Sequence, residues 1–213
     1  MSAAKENILG KIRQGLENGR LPQPYPEVAA GYEGVFLQKD QLPEETFAES
    51  FSRLGGKFVY CANDQELLES LHNLYDDQGW SQILCAEPMW QRAFQNNKLD
   101  FIQPFDAGNS LADACITACE CLVARTGSAI LSSRQPFGRI SPVYYPAHII
   151  IAYAWQVVPD IADALKLMQE RYGNNLPSMM NLNTGPSRTA DIEKTLVVGV
   201  HGPKEVYCFL VNE

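Results

Sequence analysis

The run Thr184-Gly185-Pro186-Ser187-Arg188-Thr189-Ala190-Asp191-Ile192-Glu193 sets hydroxyl, guanidinium and carboxylate groups side by side, and Val200-His201-Gly202-Pro203 follows it closely. Met179-Met180-Asn181-Leu182 reads as a short apolar strand, so Gly185-Pro186 is expected to turn the chain at a strand end. At such a turn Ser187, Thr189 and free backbone N–H groups can gather around an anion, with Arg188 as a planar, permanently charged clamp. Asp191 and Glu193 suit sugar hydroxyls, a metal or proton transfer. The competing reading is a turn followed by a helix cap, because Ser, Thr and Asp side chains commonly bind nearby backbone N–H groups.

Three other places offer chemistry. Thr126-Gly127-Ser128 sits between apolar segments, where a glycine turn allows either a close ligand or a plain reversal of the chain. His148 precedes the apolar run Ile149–Ala154 and is either a core histidine bonded to a carbonyl or a pocket acid/base. His201 belongs to a Gly-Pro turn that either returns to the Gly185 loop or faces water. Arg125, Arg134, Arg139 and Arg188 can together form a local basic pocket, although each alone is more often a solvated surface charge.

The run Gly185 to Glu193, followed by Gly199-Val200-His201-Gly202-Pro203, resembles the C-terminal signature of the lactate-utilisation protein C family, the LUD-domain proteins. Thr126-Gly127-Ser128 lies where that family carries a Thr-Gly-Thr-like turn, and Pro146-Ala147-His148 lies where it has a Pro-x-His segment. The resemblance runs from about residue 55 onward, with a short basic helix in front. It implies a parallel-sheet, three-layer α/β fold similar to the sugar-phosphate isomerase/deaminase and CoA-transferase group, in which loops at strand ends hold phosphate or carboxylate. It further implies a part in the oxidation of lactate to pyruvate, beside companion proteins that carry iron–sulfur clusters. Carried over residue by residue, the pocket would take ligand contacts from Thr126, Gly127, Ser128, Gly185, Pro186, Ser187, Arg188 and Thr189. His148, His201, Asp191 and Glu193 would be its acid/base groups. One departure matters: many relatives place an acid before the middle turn, and here that residue is Arg125. A carboxylate nucleophile of the CoA-transferase kind would be missing, and Glu120 is five positions too early to replace it. The other function classes are a stand-alone enzyme of a phosphorylated sugar or acyl thioester, and a non-catalytic structural or regulatory subunit.

The elements that must position these groups alternate. Residues 3–18 form an amphipathic helix with Ile8, Leu9, Ile12 and Leu16 on one side, and Pro22, Pro24 and Pro26 make an extended connector, so 1–41 reads as an arm before an α/β domain over 42–213. Pro43-Glu44-Glu45 opens a helix with Phe47, Phe51 and Leu54 inward, stopped by Gly55-Gly56. A strand at 57–62, a helix capped by Asn63 and Glu66, a strand at 82–86 and a helix from Pro88 follow. Later come a strand at 129–132, a helix capped by Asp160 with Ile161, Leu165, Met168 and Tyr172 inward, and a final strand at 206–211. Residues 195–200 fit either a strand or a helix end. Such alternation predicts a parallel sheet covered on both faces, with ligands outside the carboxyl ends of its strands.

The 213 residues suffice for one sizeable core. A formal charge of -8 argues against general nucleic-acid binding, which needs a basic footprint. There is no GxGxxG and no Walker A sequence, which argues against a dehydrogenase or an ATPase. No apolar run approaches the ~18–20 residues of a membrane span, and the polar N-terminus makes a cytoplasmic protein the expectation. Cys61, Cys85 and Cys208 sit in strand patterns, and the spacing of Cys115, Cys119 and Cys121 matches neither zinc pairs nor ferredoxin runs. All six are expected as buried free thiols, with no metal or cofactor on this chain. The expected partners are a small anionic metabolite, the iron–sulfur companions and, as one candidate state, further copies of this chain.

Overall fold

The structure, a computed structural model, describes residues 3–17, 41–106, 108, 111–136, 138–189 and 197–212. The chain divides into two units, Met1–Lys39 and Asp40–Glu213. In the first, α1 (Ala3–Glu17) is a helix whose Ile8, Leu9 and Ile12 are exposed.

The second unit opens with α2 (Pro43–Arg53), where Pro at the first turn and the acids Glu44 and Glu45 suit a helix N-terminus. There follow β1 (Lys57–Cys61), α3 (Asp64–Gln78), β2 (Ile83–Cys85), α4 (Pro88–Asn96), β3 (Ile102–Pro104), β4 (Ala114–Thr117), β5 (Cys121–Val123) and β6 (Ser128–Ser132). Next come α5 (Ser141–Tyr144), β7 (Ala147–Tyr153), β8 (Val157–Val158), α6 (Ile161–Tyr172), β9 (Met180–Asn183), β10 (Arg188–Thr189), β11 (Val197–Val198) and β12 (Glu205–Val211). The Asn63 side chain accepts from the Glu66 N–H (3.0 Å) to start α3, while the Glu66 carboxylate reaches back to the Ala62 N–H (2.6 Å).

Six strands form an all-parallel sheet in the order β1-β12-β7-β4-β2-β3. Its central strands read as continuous apolar runs, as strands buried on both faces must. One face packs Ile83, Ile116, Ile149 and Phe209 against Leu67 and Leu71 of α3 and Trp90 and Phe94 of α4. The other face, with Ile150, Val206, Cys208 and Leu210, meets Phe47 and Phe51 of α2 and a second, four-stranded sheet of order β8-β5-β6-β9. The outer side of that sheet is covered by Ala164 and Met168 of α6. The inward stripe of α6 is therefore Ile161, Ala164, Met168 and Tyr172, and Leu165, expected inside, is half exposed. Alanine presents too little apolar area to stand out in a hydrophobic pattern, whereas leucine does.

The fold is mixed α/β with a parallel central sheet. Residues 197–198 are strand, paired antiparallel with 188–189. All six cysteines are buried free thiols, as their apolar neighbours predicted. No helix among the described residues is long and apolar enough to cross a membrane.

Candidate functional site

The two loops of the C-terminal signature meet. Ser187 donates its backbone N–H to the Pro203 carbonyl and Gly199 donates to the Ser187 carbonyl, both at 2.9 Å. Behind them, Lys204 donates to the Pro146 carbonyl at 2.8 Å and ties the loop to the entrance of β7. A Cβ on Gly202 would lie 2.9 Å from Ser187 Cβ and 3.1 Å from its Oγ, so this approach needs glycine.

Between these loops, α5 and β9 lies a cleft of about 200 Å³. Gly185, Pro186, Ser187, His201 and Pro203 line it together with Asn181, Asn183, Thr184 and Val143. Its lining contains no Lys, Arg, Asp or Glu among the described residues, leaving His201 as the ionisable side chain. The volume lies below the roughly 300–1,000 Å³ of drug-sized ligand sites, which suits a small occupant.

Val143 and His201–Pro203 lie just before β7 and β12, so the cleft opens at the amino ends of these strands. The carboxyl ends, expected from general α/β behaviour, carry other contacts; Asn212, for instance, donates to the Cys61 carbonyl (2.9 Å). The reason for the difference is local. The signature residues sit in the connections that enter β12, not in those that leave it.

The four arginines of the suggested basic pocket are engaged elsewhere. Arg188 turns its guanidinium to the Leu54 carbonyl at the C-terminus of α2, where a cation meets the negative end of the helix dipole. Arg125 forms a bidentate pair with Asp160 (2.8 and 2.7 Å), the residue that caps α6. This pair, with the backbone N–H of Ile161, holds the Asp160 carboxyl below the usual carboxylate range. Arg134 and Arg139 donate to Asn175 O (3.0 Å) and Ser178 Oγ (2.5 Å). The four do not gather into the basic pocket that their number suggested.

The middle turn joins β5 to β6. Gly127 has φ +59°, and a Cβ there would lie 2.3 Å from the Phe51 backbone nitrogen, so its glycine serves the packing of the turn against α2. Ser128 is fully buried, and its Oγ donates to Thr126 Oγ1 (2.9 Å) while standing 2.8 Å from Thr184 Oγ1. The Thr126–Ser128 turn therefore reaches the cleft through Thr184 and does not line it directly.

His148 lies within β7, almost wholly buried, with Nε2 2.8 Å from Thr117 Oγ1 and no hydrogen-bond partner for Nδ1 among the described residues. Desolvation pushes its pKa down to about 3, so the ring is neutral and structural in this geometry. Thr189 pairs with Val197 in β10–β11. Asp191 and Glu193 lie outside the described residues.

Sequence reasoning passed over Asn181 and Asn183. Along β9 the apolar Met180 and Leu182 are exposed while the asparagines that alternate with them are half-buried, the reverse of an ordinary half-buried strand. Two asparagines at period two beside a Gly-Pro loop were the available signal.

The sequence profile of the LUD domain matches residues 44–211. "Lactate utilization protein C" of Geobacillus kaustophilus is 30% identical over 162 residues, covering 75% of this chain and 64% of that protein. "Lactate utilization protein C 1" of Bacillus mycoides is 36% identical over 172 residues, covering 79% and 69%. The chain thus spans about two thirds of the length of these relatives. A crystal structure of a duf162 family protein from Deinococcus radiodurans superposes with a TM-score of 0.58 at 18% identity, covering 79% of this chain and 96% of that one, which is a likeness of fold. The matched span holds the parallel sheet, the second sheet and both loops around the cleft, and on it the chain belongs to the LUD-domain family.

Proposed function

We propose that this protein takes part in lactate utilisation by binding a small organic anion in the cleft between the Gly185 and His201 loops. The observation that supports this reading is the convergence of two separate signature segments on one small cleft, lined by hydroxyl, amide and imidazole groups. Ser187 and His201 are the donors to the anion, and His201, exposed at the rim, is the group able to move a proton. Arg188 acts indirectly, fastening the loop to the end of α2. In this reading the protein works in the cytoplasm beside iron–sulfur companions that carry the electrons of lactate oxidation. The likeness to lactate utilization protein C of other bacteria and the chemistry of the cleft are its support.

Calorimetric titration of lactate, pyruvate and ribose 5-phosphate into wild type, Ser187→Ala, His201→Ala and Arg188→Ala tests the reading. Lactate or pyruvate should bind, and loss of one neutral hydrogen bond in Ser187→Ala should weaken binding by about 1 kcal/mol, since alanine keeps the Cβ packed on Gly202. Arg188→Ala should lower stability more than affinity. Preference for the sugar phosphate would move the protein to the phosphorylated-sugar class. Absence of heat with every anion would remove the cleft as a ligand site.

A further inference from the structure

Two arginines reach one short loop from one turn. After β6 the chain makes a compact reversal, in which the Ser132 N–H donates to Gln135 Oε1 (2.9 Å), the Arg134 N–H to Ser132 Oγ (3.1 Å) and the Gly138 N–H to the Gln135 carbonyl (3.1 Å). Glycine is required at 138, because a Cβ there would run into the Ser132 carbonyl oxygen. From this turn Arg134 donates to the Asn175 carbonyl (3.0 Å) and Arg139 to Ser178 Oγ (2.5 Å), so both guanidinium groups end on the loop between α6 and β9. On the same loop Ser178 Oγ stands 3.1 Å from Ser133 Oγ, which accepts from the Met179 N–H (3.3 Å). The Arg134 guanidinium also lies 6.0 Å from the Tyr172 ring centroid, which steadies it from beneath.

The acceptors that hold these two cations, a carbonyl and a hydroxyl, are neutral. Among the described residues no carboxylate pairs with either arginine, although the chain carries a net charge of -8. Glu120, which reaches Ser132 at the base of the turn, is buried and already holds Ser132, Arg171 and Tyr172. Both arginines are exposed, and each gives one N–H to the loop and has others to offer. Two like charges fixed on one loop repel each other, and an anion with several acceptor oxygens relieves that repulsion.

We propose that Arg134, Arg139 and Ser178 form a second anion site that takes the phosphate of a small phosphate monoester. None of the three lines the cleft, so this site is independent of the one described above. A dianion matches the two guanidinium charges, and the planar forks suit phosphate oxygens. The hydroxyl of Ser178 adds a neutral partner at the same place.

The test titrates inorganic phosphate and ribose 5-phosphate, at ionic strength matched with sodium chloride, into the full chain and into Arg134→Gln, Arg139→Gln, Arg139→Lys and Ser187→Ala, with thermal melts of each variant. Both probes should bind the wild type. Each Gln variant should weaken them at least about tenfold, the loss of one charged contact. Arg139→Lys keeps the charge but not the fork, so its affinity should fall between wild type and Arg139→Gln. Affinity should rise as the phosphate loses its second proton near about pH 6. Ser187→Ala alters the cleft and should bind both probes as the wild type does. Equal binding by wild type and both Gln variants overturns the site, and so does heat no greater than that of the chloride control. Loss of phosphate binding in Ser187→Ala, with the arginine variants unaffected, moves the phosphate into the cleft and overturns the second site alone. Capture of the chain by vesicles containing phosphatidic acid, with no binding of ribose 5-phosphate, would make the ligand a lipid headgroup and overturn the small-molecule assignment.

Discussion

His148 shows how burial decides the chemistry of a single residue. Its ring is neutral in the folded protein because nothing nearby compensates a charge, and its pKa falls to about 3 from the ordinary 6.5. The sign follows from proton counting: between those values the unfolded chain holds a proton that the native ring refuses. Stability from this group is complete above about pH 6.5 and is lost as pH falls toward 3. Between pH 7 and 5 the loss should be about 2 kcal/mol from this residue alone. Urea unfolding of wild type and His148→Gln at pH 7, 6 and 5 measures it as the difference between the two slopes. Parallel slopes would mean that the ring titrates normally and is open to water. The sequence left this residue undecided between core and pocket, and family resemblance favoured the pocket. What settles its geometry is the two extra residues of β7 on the amino side of the apolar run, which carry His148 inside the sheet. Periodicity marks where apolar residues stop, but a strand continues for as long as its neighbours supply hydrogen-bond partners.

At the scale of elements, close backbone approach explains the glycines better than ligand access does. The turn at Gly127 presses on α2, and an alanine there would place its Cβ 2.3 Å from Phe51 N and 2.6 Å from Ser50 C. These are backbone atoms of a helix buried through Phe47 and Phe51, so they cannot yield cheaply. The φ of +59° adds the cost of a left-handed conformation for a residue with a side chain. Gly127→Ala should destabilise by about 2–4 kcal/mol, read as a lower urea midpoint with little change in ligand affinity relative to the folded fraction. A loss under about 0.5 kcal/mol would show that α2 and the turn are not in contact. The helices themselves were legible because their signals are local: the Pro43 start, the Asn63 cap and the Asp160 cap each stand in sequence beside the element they begin. The parallel sheet was legible from alternation. The second sheet was not, since β5, β8 and β9 are short, and beyond the local β5–β6 hairpin its pairings, β5 with β8 and β6 with β9, join residues far apart in the chain. Of the site, the two signature loops were legible as a pair, while the turning of Arg188 to Leu54 depends on a carbonyl 134 positions away.

Over the whole molecule the cysteines are distributed so that each packed region holds at least one. Cys61 and Cys85 lie in the helix-covered face of the parallel sheet, Cys119 and Cys208 between the two sheets, Cys115 in the cluster with Leu84 and Tyr145, and Cys121 beneath α6. Burial raises the pKa of every one of these thiols, to about 12 for Cys85 and about 11 for Cys121. Thiolate is the reactive species, so both access and ionisation oppose modification while the fold is closed. A thiol reagent at pH 8 should therefore label almost nothing in the native protein, and all six sites in concentrated guanidinium chloride. In moderate urea the labelling rate should follow the population of opened molecules, with peptide mapping assigning each event to its region. If the domain opens as one unit, the six sites label together. Early labelling of Cys121 alone would show α6 lifting from the second sheet first, and early labelling of Cys119 with Cys208 would show the two sheets parting. Rapid labelling of any cysteine without denaturant would contradict the packing of the region that holds it.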